Sequence, residues 1–74
     1  MTEKEFRTYF RELYPQLAQY ATRLLGALDV EDVLQGTFLE LWNRRTDINT
    51  AAHVRAFMFR SVYTQALNVL KHRG

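Results

Sequence analysis

The fold is decided by the segment in the middle of the chain, which reads VEDVLQGTFLELW over residues 30–42. Its apolar and small side chains recur at the spacing i, i+3, i+4, i+7, i+8, which places them on one face of an α-helix. This stripe comprises Val30, Val33, Leu34, Thr37, Phe38, Leu41 and Trp42. Asp29 precedes it as a candidate N-cap, and Glu31 and Asp32 suit the positive end of a helix dipole. The segment predicts one amphipathic helix.

Toward the N-terminus, two further apolar stripes stand on either side of Pro15. Thr2 and Glu5 have the spacing of a capping box, and Gly26 is a natural C-terminal cap. Pro15 cannot lie deep inside a helix without breaking a hydrogen bond, but it can begin one. The pattern therefore predicts two helices before Gly26. Their stripes are Phe6, Tyr9, Phe10, Leu13 and Tyr14, then Leu17, Tyr20, Ala21, Leu24 and Leu25.

Toward the C-terminus, the polar segment 43–50 predicts a loop, with Asn49 or Thr50 as the cap of a last helix. That helix is expected from about Ala51 to near Lys71. Its stripe comprises Val54, Phe57, Met58, Ser61, Val62, Ala66 and Val69, and it is widened by Phe59, Tyr63, Leu67 and Leu70. No segment has the alternation of a strand, so the sequence predicts an all-α domain, a compact bundle of about four helices.

Composition and charge narrow the classes of protein. The chain has 74 residues, enough for one domain, and no Cys. No apolar run approaches the roughly 20 residues of a membrane-spanning helix, so a soluble, cytoplasmic protein is expected. Residues 1–43 hold four basic and seven acidic residues, whereas residues 44–74 hold six basic residues and one acid. This division suggests separate basic and acidic binding surfaces, although two solvated helix faces would give the same pattern.

The sequence contains no constellation for catalysis. His53 and His72 have no carboxylate and no second histidine at i+3 or i+4, which a catalytic pair or a helical metal site would need. Glu31 and Asp32 are adjacent, so they point about 100° apart on a helix and cannot face each other as acid and base. The sequence predicts a protein that is not an enzyme, with no metal and no cofactor.

Two segments carry side chains that suggest binding partners. Asp32, Gln35 and Leu39 fall beside the core stripe at i, i+3 and i+7, which makes a candidate helix-docking patch; a solvated face is the alternative. From Arg44 onward the chain is basic and aromatic. Such a stretch can neutralise phosphates, stack on unpaired bases and hold an extruded base, although the aromatic residues could equally be core.

The same segments resemble region 2 of extracytoplasmic-function (ECF) sigma factors of bacterial RNA polymerase. Residues 30–42 are similar to the family helix that reads Ala-Glu-Asp, two aliphatic residues and Gln, then two variable residues, Phe, three residues and Trp. The run RAFMFR at residues 55–60 looks like the family's Arg-Ala-Trp-Leu-Tyr-Arg. The similarity extends to the opening aromatic and leucine positions of residues 6–25. The resemblance covers nearly the whole chain, which would be one region 2 domain over residues 1–74.

The resemblance implies a transcription initiation module with two partners. One is the RNA polymerase core, whose β′ clamp helices would contact Asp32, Gln35, Leu39 and Asn43. The other is promoter DNA, the non-template single strand of the minus-ten element, which the module would recognise and help to melt. The residues implied to contact DNA are Arg44, Arg45, Asn49, Arg55, Arg60, Tyr63 and Thr64. An anti-sigma factor is a further candidate partner, and no membrane insertion is implied.

Two sites depart from the family pattern, one of a single residue and one of two residues. Gly36 stands where an acidic residue that faces the clamp is usual, and Gly costs a helix about 1 kcal/mol relative to Ala. Tyr63-Thr64 replaces a usual Arg-Asn near the base pocket, which leaves the preferred promoter base open. The helix-turn-helix domain of such sigma factors is missing from residues 1–74, so a fragment is expected. The competing hypothesis is a helical protein-interaction adaptor that binds no nucleic acid.

Overall fold

The computed structural model describes residues 1–74, which form three α-helices. They are α1 (Glu3–Leu25), α2 (Val30–Asn43) and α3 (Ala51–Arg73). Each helix packs against the other two, and the bundle measures 39 × 20 × 17 Å along its principal axes. The predicted all-α class is confirmed, and the structure has three helices where about four were expected.

Helix α1 runs through Pro15, where the sequence predicted a break. A proline inside a helix removes one hydrogen bond and costs about 3 kcal/mol. The buried side chains nevertheless continue on one face across it, with Leu13 before Pro15 and Leu17 and Ala21 after it, each at most 6% exposed. Burying one leucine side chain contributes about 1.5–3 kcal/mol. Because one long helix buries residues on both sides of Pro15, packing outweighs the missing hydrogen bond.

The predicted caps at three helix ends are confirmed. At the start of α1, the Glu5 N–H donates to Thr2 Oγ1 at 3.1 Å and the Thr2 N–H donates to Glu5 Oε1 at 2.9 Å, which completes the capping box. Gly26 ends α1 with a φ of 76°, a conformation that favours glycine. Of the two candidates for α3, Thr50 is the cap, since its hydroxyl accepts from the His53 N–H at 3.1 Å.

The side-chain cap predicted for Asp29 is wrong. Asp29 precedes α2 with a left-handed φ of 69°, and its side chain makes no bond to the helix N-terminus. Asp29 Oδ2 instead accepts from Arg73 Nη2 at 3.1 Å. The same guanidinium donates to the carbonyls of Leu25 at 2.9 Å and Leu28 at 3.0 Å. These bonds join the end of α3 to the α1–α2 connection, and α3 reaches Arg73 instead of ending near Lys71.

The core lies where the three helices meet. Helix α3 contributes Val54, Met58, Val62 and Ala66, spaced every four residues and almost fully buried. Ile48 of the α2–α3 connection closes one end of the core and is 3% exposed. The residues Tyr63, Leu67 and Leu70 lie outside the core, although they read as part of a wide apolar stripe. Two neighbouring helices cover only one side of α3. None of the three helices combines the length and apolarity needed to span a bilayer.

Candidate functional site

The four residues predicted to contact a protein partner lie on one exposed face of α2. Asp32, Gln35, Leu39 and Asn43 are all exposed, whereas the side of α2 that carries Val33, Leu34, Phe38 and Leu41 faces the core. Leu39 leaves 61% of its surface open to solvent. We refer to Asp32, Gln35, Leu39 and Asn43 as the docking face.

An aromatic groove adjoins the docking face on the α1 side, with a volume of about 490 Å³. The Phe6 ring centroid lies 5.1 Å from that of Trp42, and the Phe10 centroid lies 4.5 Å from that of Phe38. The lining residues are Glu3, Phe6, Arg7, Phe10, Gln35, Phe38, Leu39 and Trp42. Sequence reasoning assigned Phe6 and Phe10 to the core and missed their place in this groove. The spacing gave no signal for this, because a one-face stripe does not show which of its members the neighbouring helices cover.

Gly36 lies against α3. The Gln65 side chain fills the space beside it, and a Cβ added at Gly36 would lie 2.7 Å from Gln65 Oε1. Gln65 Nε2 donates to Thr37 Oγ1 at 3.1 Å, and the Thr37 hydroxyl donates to the Val33 carbonyl at 2.8 Å. Thr37 is fully buried, and an unsatisfied buried hydroxyl would cost about 1–3 kcal/mol. The glycine therefore has a packing role that the sequence alone did not indicate.

A polar pocket of about 410 Å³ opens on the α3 side of α2, closed at one end by the α2–α3 connection. Arg44 Nε lies 3.7 Å from Glu40 Oε1, and the Arg44 guanidinium lies 5.8 Å from the centroid of the Phe57 ring. The lining residues are Glu40, Arg44, Asp47, Ile48, His53, Phe57, Arg60, Ser61, Thr64 and Gln65. Of the predicted DNA contacts, Arg44, Arg60 and Thr64 are brought together here. The acids of the pocket were not predicted as site residues, although the i, i+4 spacing of Glu40 and Arg44 was visible.

The other predicted DNA contacts lie outside the polar pocket. The Arg45 guanidinium covers the Trp42 ring at 4.1 Å from its centroid, beside the aromatic groove. Arg55 lies over an aromatic ring one turn further along α3. Asn49 and Tyr63 are exposed, Tyr63 by 45%. The predicted set is thus divided between the pocket and the surface around it.

The Glu5 carboxyl, in the capping box of α1, has a lowered pKa. Hydrogen bonds from the Thr2 backbone N–H and hydroxyl hold the pKa of the Glu5 carboxyl below its ordinary value near 4.5. Glu5 is fully exposed at the start of α1, so this shift belongs to the capping box. No cluster of three or more His, Asp or Glu side chains is arranged to hold a metal ion.

The chain is a small helical module in which α2 has an exposed face that carries Leu39 and a polar pocket on its α3 side. The family model described as Sigma-70 region 2 matches residues 6–74. The chain therefore belongs to the sigma-70 region 2 family, whose members act in transcription initiation with RNA polymerase core and promoter DNA. This confirms the predicted region 2 assignment, and the ECF type is compatible with it. No curated protein and no solved structure matches the chain.

Proposed function

We propose that this region 2 module docks on the β′ clamp helices of RNA polymerase through its docking face. We further propose that it holds the non-template strand of the minus-ten element at its polar pocket and so helps to melt the promoter. The observation that carries the proposal is that α2 contributes to both surfaces: Leu39 is exposed on the docking face, and the next residue, Glu40, lines the pocket. A module bound through α2 would hold the pocket close to the polymerase.

The docking part of the proposal is supported by the exposure and chemistry of one face. Leu39 is 61% exposed and lies between an acid, Asp32, and two amides, Gln35 and Asn43. The adjoining aromatic groove extends the apolar area. An apolar centre with a polar rim suits a partner helix that carries apolar and basic side chains.

The DNA part is supported by charge, aromatic surface and shape. Arg44 and Arg60 line the pocket and can neutralise phosphates at its mouth. Tyr63 is 45% exposed on α3 and can stack on a base, which is worth about 1–3 kcal/mol. The pocket offers a polar recess for a base that has left the stack. Capture of an unpaired base favours the open strand, which is how a module without catalysis would assist melting.

A charge reversal on the docking face tests the proposal. Asp32→Lys should weaken binding of the chain to a β′ clamp-helix fragment by about tenfold or more, because it places like charges together across the interface. Glu12→Lys is the matched control, since it makes the same charge change at an exposed position of α1. Isothermal titration calorimetry measures both. Equal losses for the two variants would refute docking through this face.

The resemblance of residues 30–42 and 55–60 supports the ECF subtype within this proposal. The proposed place of action is the bacterial cytoplasm, where polymerase and promoter meet. An anti-sigma factor that covered the docking face would compete with the polymerase for it. The adaptor hypothesis differs in predicting that the chain binds no nucleic acid at moderate salt.

A further inference from the structure

The charges that line the polar pocket balance. Glu40 and Asp47 line it together with Arg44 and Arg60, so the formal charge of the four side chains together is zero. A site that held only phosphates would be weakened by its two carboxylates, because they repel anions. A balanced set of donors and acceptors suits a neutral polar group, such as the edge of a nucleobase.

Glu40 is held at the wall of this pocket with room to accept hydrogen bonds from a ligand. Arg44 Nε stands 3.7 Å from Glu40 Oε1, beyond hydrogen-bond distance but close enough to attract the carboxylate. The Glu40 side chain is 41% exposed. The pocket volume of about 410 Å³ falls within the range of small-molecule sites, so a base has space beside the carboxylate.

The carboxylates and the guanidinium groups of the pocket pair with different hydrogen-bonding groups of a base. A carboxylate only accepts hydrogen bonds and a guanidinium only donates them. Cytosine, adenine and guanine each carry an exocyclic amino group, which gives a carboxylate an N–H donor, next to ring acceptors for an arginine. Thymine has one imino N–H between two carbonyl oxygens, so two carboxylates find too few donors and its carbonyl oxygens are repelled.

We propose that Glu40 is a specificity-determining residue, which makes the polar pocket select a base with an exocyclic amino group over thymine. This inference rests on the proposed function, since it names the class of base that the proposed DNA pocket takes. Asp47 supplies a second acceptor, while Arg44 and Arg60 supply the donors. We call the promoter position whose base leaves the stack and enters the pocket the captured position.

The experiment uses RNA polymerase core loaded with this chain and four short fluorescent single-stranded oligonucleotides that differ only in the base at the captured position. The unmodified chain should bind the three amino-bearing oligonucleotides about tenfold more tightly than the thymine one, the order of one hydrogen bond to a charged group. Glu40→Gln should reduce this preference to about twofold or less, because the amide can donate to a thymine carbonyl. Glu31→Gln, which removes the same charge from the exposed side of α2, should preserve the preference.

Two results would overturn the inference. One is an unmodified chain that binds the four oligonucleotides equally. The other is a Glu40→Gln variant that binds all four more tightly by the same factor, since Glu40 would then act through its charge alone. Arg60→Ala separates this failure from that of the proposed function. If Arg60→Ala weakens all four complexes, the pocket binds DNA and only the selection by Glu40 is wrong; if it changes none, the DNA pocket itself is wrong.

Discussion

Helix α2 has a recess on each flank, and the two recesses differ in what lines them. The aromatic groove on the α1 side is walled by Phe6, Phe10, Phe38 and Trp42, with charges only from Glu3 and Arg7. The polar pocket on the α3 side brings four charged side chains together with hydroxyl and amide groups. One short helix thus separates an apolar surface from a charged one.

Because of this difference, the two proposed activities should respond differently to salt. Apolar contacts depend on the surface removed from water and change little with ionic strength, whereas exposed charges are screened over about 10 Å at 0.1 M salt. The part of docking that depends on Leu39 and the aromatic groove should therefore tolerate salt. Binding of DNA at the pocket should weaken steeply as salt rises.

The largest effect is expected from removing both arginines of the polar pocket. Arg44→Ala with Arg60→Ala should weaken binding of single-stranded promoter DNA to the polymerase-bound chain by on the order of 10–100-fold. The slope of log affinity against log salt should fall by about 0.7 for each phosphate that the variant no longer neutralises. Fluorescence anisotropy over a salt series measures both quantities.

The control for that pair is Arg11→Ala with Arg23→Ala, which removes the same charge from exposed positions of α1. Equal losses for the two pairs would show that DNA binding follows the net charge of the chain and does not depend on the pocket.

The next effect concerns the apolar flank. Leu39→Ala should weaken docking on the clamp helices by about 1–2 kcal/mol. Leu39 is exposed in the free chain, and an alanine in its place would bury much less apolar surface at the interface. The loss should be the same at low and high salt. Leu28→Ala is the matched control, since Leu28 is 71% exposed in the α1–α2 connection. A salt-dependent loss, or an equal loss for Leu28→Ala, would contradict apolar docking through Leu39.

A smaller effect tests how α3 packs against α2 at Gly36. Gly36→Ala should change the free energy of unfolding little, because a gain of about 1 kcal/mol in helix propensity opposes displacement of the Gln65 amide. In a Gln65→Ala background the obstruction is gone, and Gly36→Ala should stabilise the chain by about 1 kcal/mol. Urea denaturation of the four variants measures the coupling. Equal effects of Gly36→Ala in both backgrounds would show that Gln65 does not constrain position 36.

The smallest effect lies at the N-terminal cap of α1, the helix that carries one wall of the aromatic groove. Because the folded chain lowers the pKa of Glu5, the capping box stabilises the fold above the ordinary pKa near 4.5, and this stabilisation is lost as the pH falls through the lowered value. Glu5→Gln should therefore reduce stability at neutral pH and flatten its loss in acid. Thermal melts from pH 7 to about pH 3 measure this. Glu12→Gln, an exposed change on the same helix, should keep the acid dependence.

The docking face could be predicted from the sequence because it belongs to one helix. The spacing of Asp32, Gln35, Leu39 and Asn43 decides which side of α2 they share, and the structure leaves all four exposed. The polar pocket could be predicted only in part. Its walls come from α2, the connection after it and α3, and sequence spacing does not say how these approach one another.

The pair Arg44 and Arg45 shows the limit of a pattern read along the chain. The two are neighbours in sequence, and both were predicted to contact DNA. Arg44 lies over Phe57 in the polar pocket, whereas Arg45 lies over Trp42 beside the aromatic groove. Arg44 and Arg45 directly follow α2, where consecutive side chains point to different flanks, and the rings they cover belong to α3 and α2.

The amphipathic stripes, the Thr2 and Thr50 caps and the outer face of α2 could all be predicted from the sequence, because periodicity and capping act within a few residues. Tertiary structure decided the rest. Packing on both sides of Pro15 joined two predicted helices into α1. The Asp29 carboxylate pairs with Arg73 instead of capping α2. The Gln65 side chain of α3 packs beside Gly36 of α2. Each of these depends on contacts between residues far apart in the chain, and local patterns carry no information about such contacts.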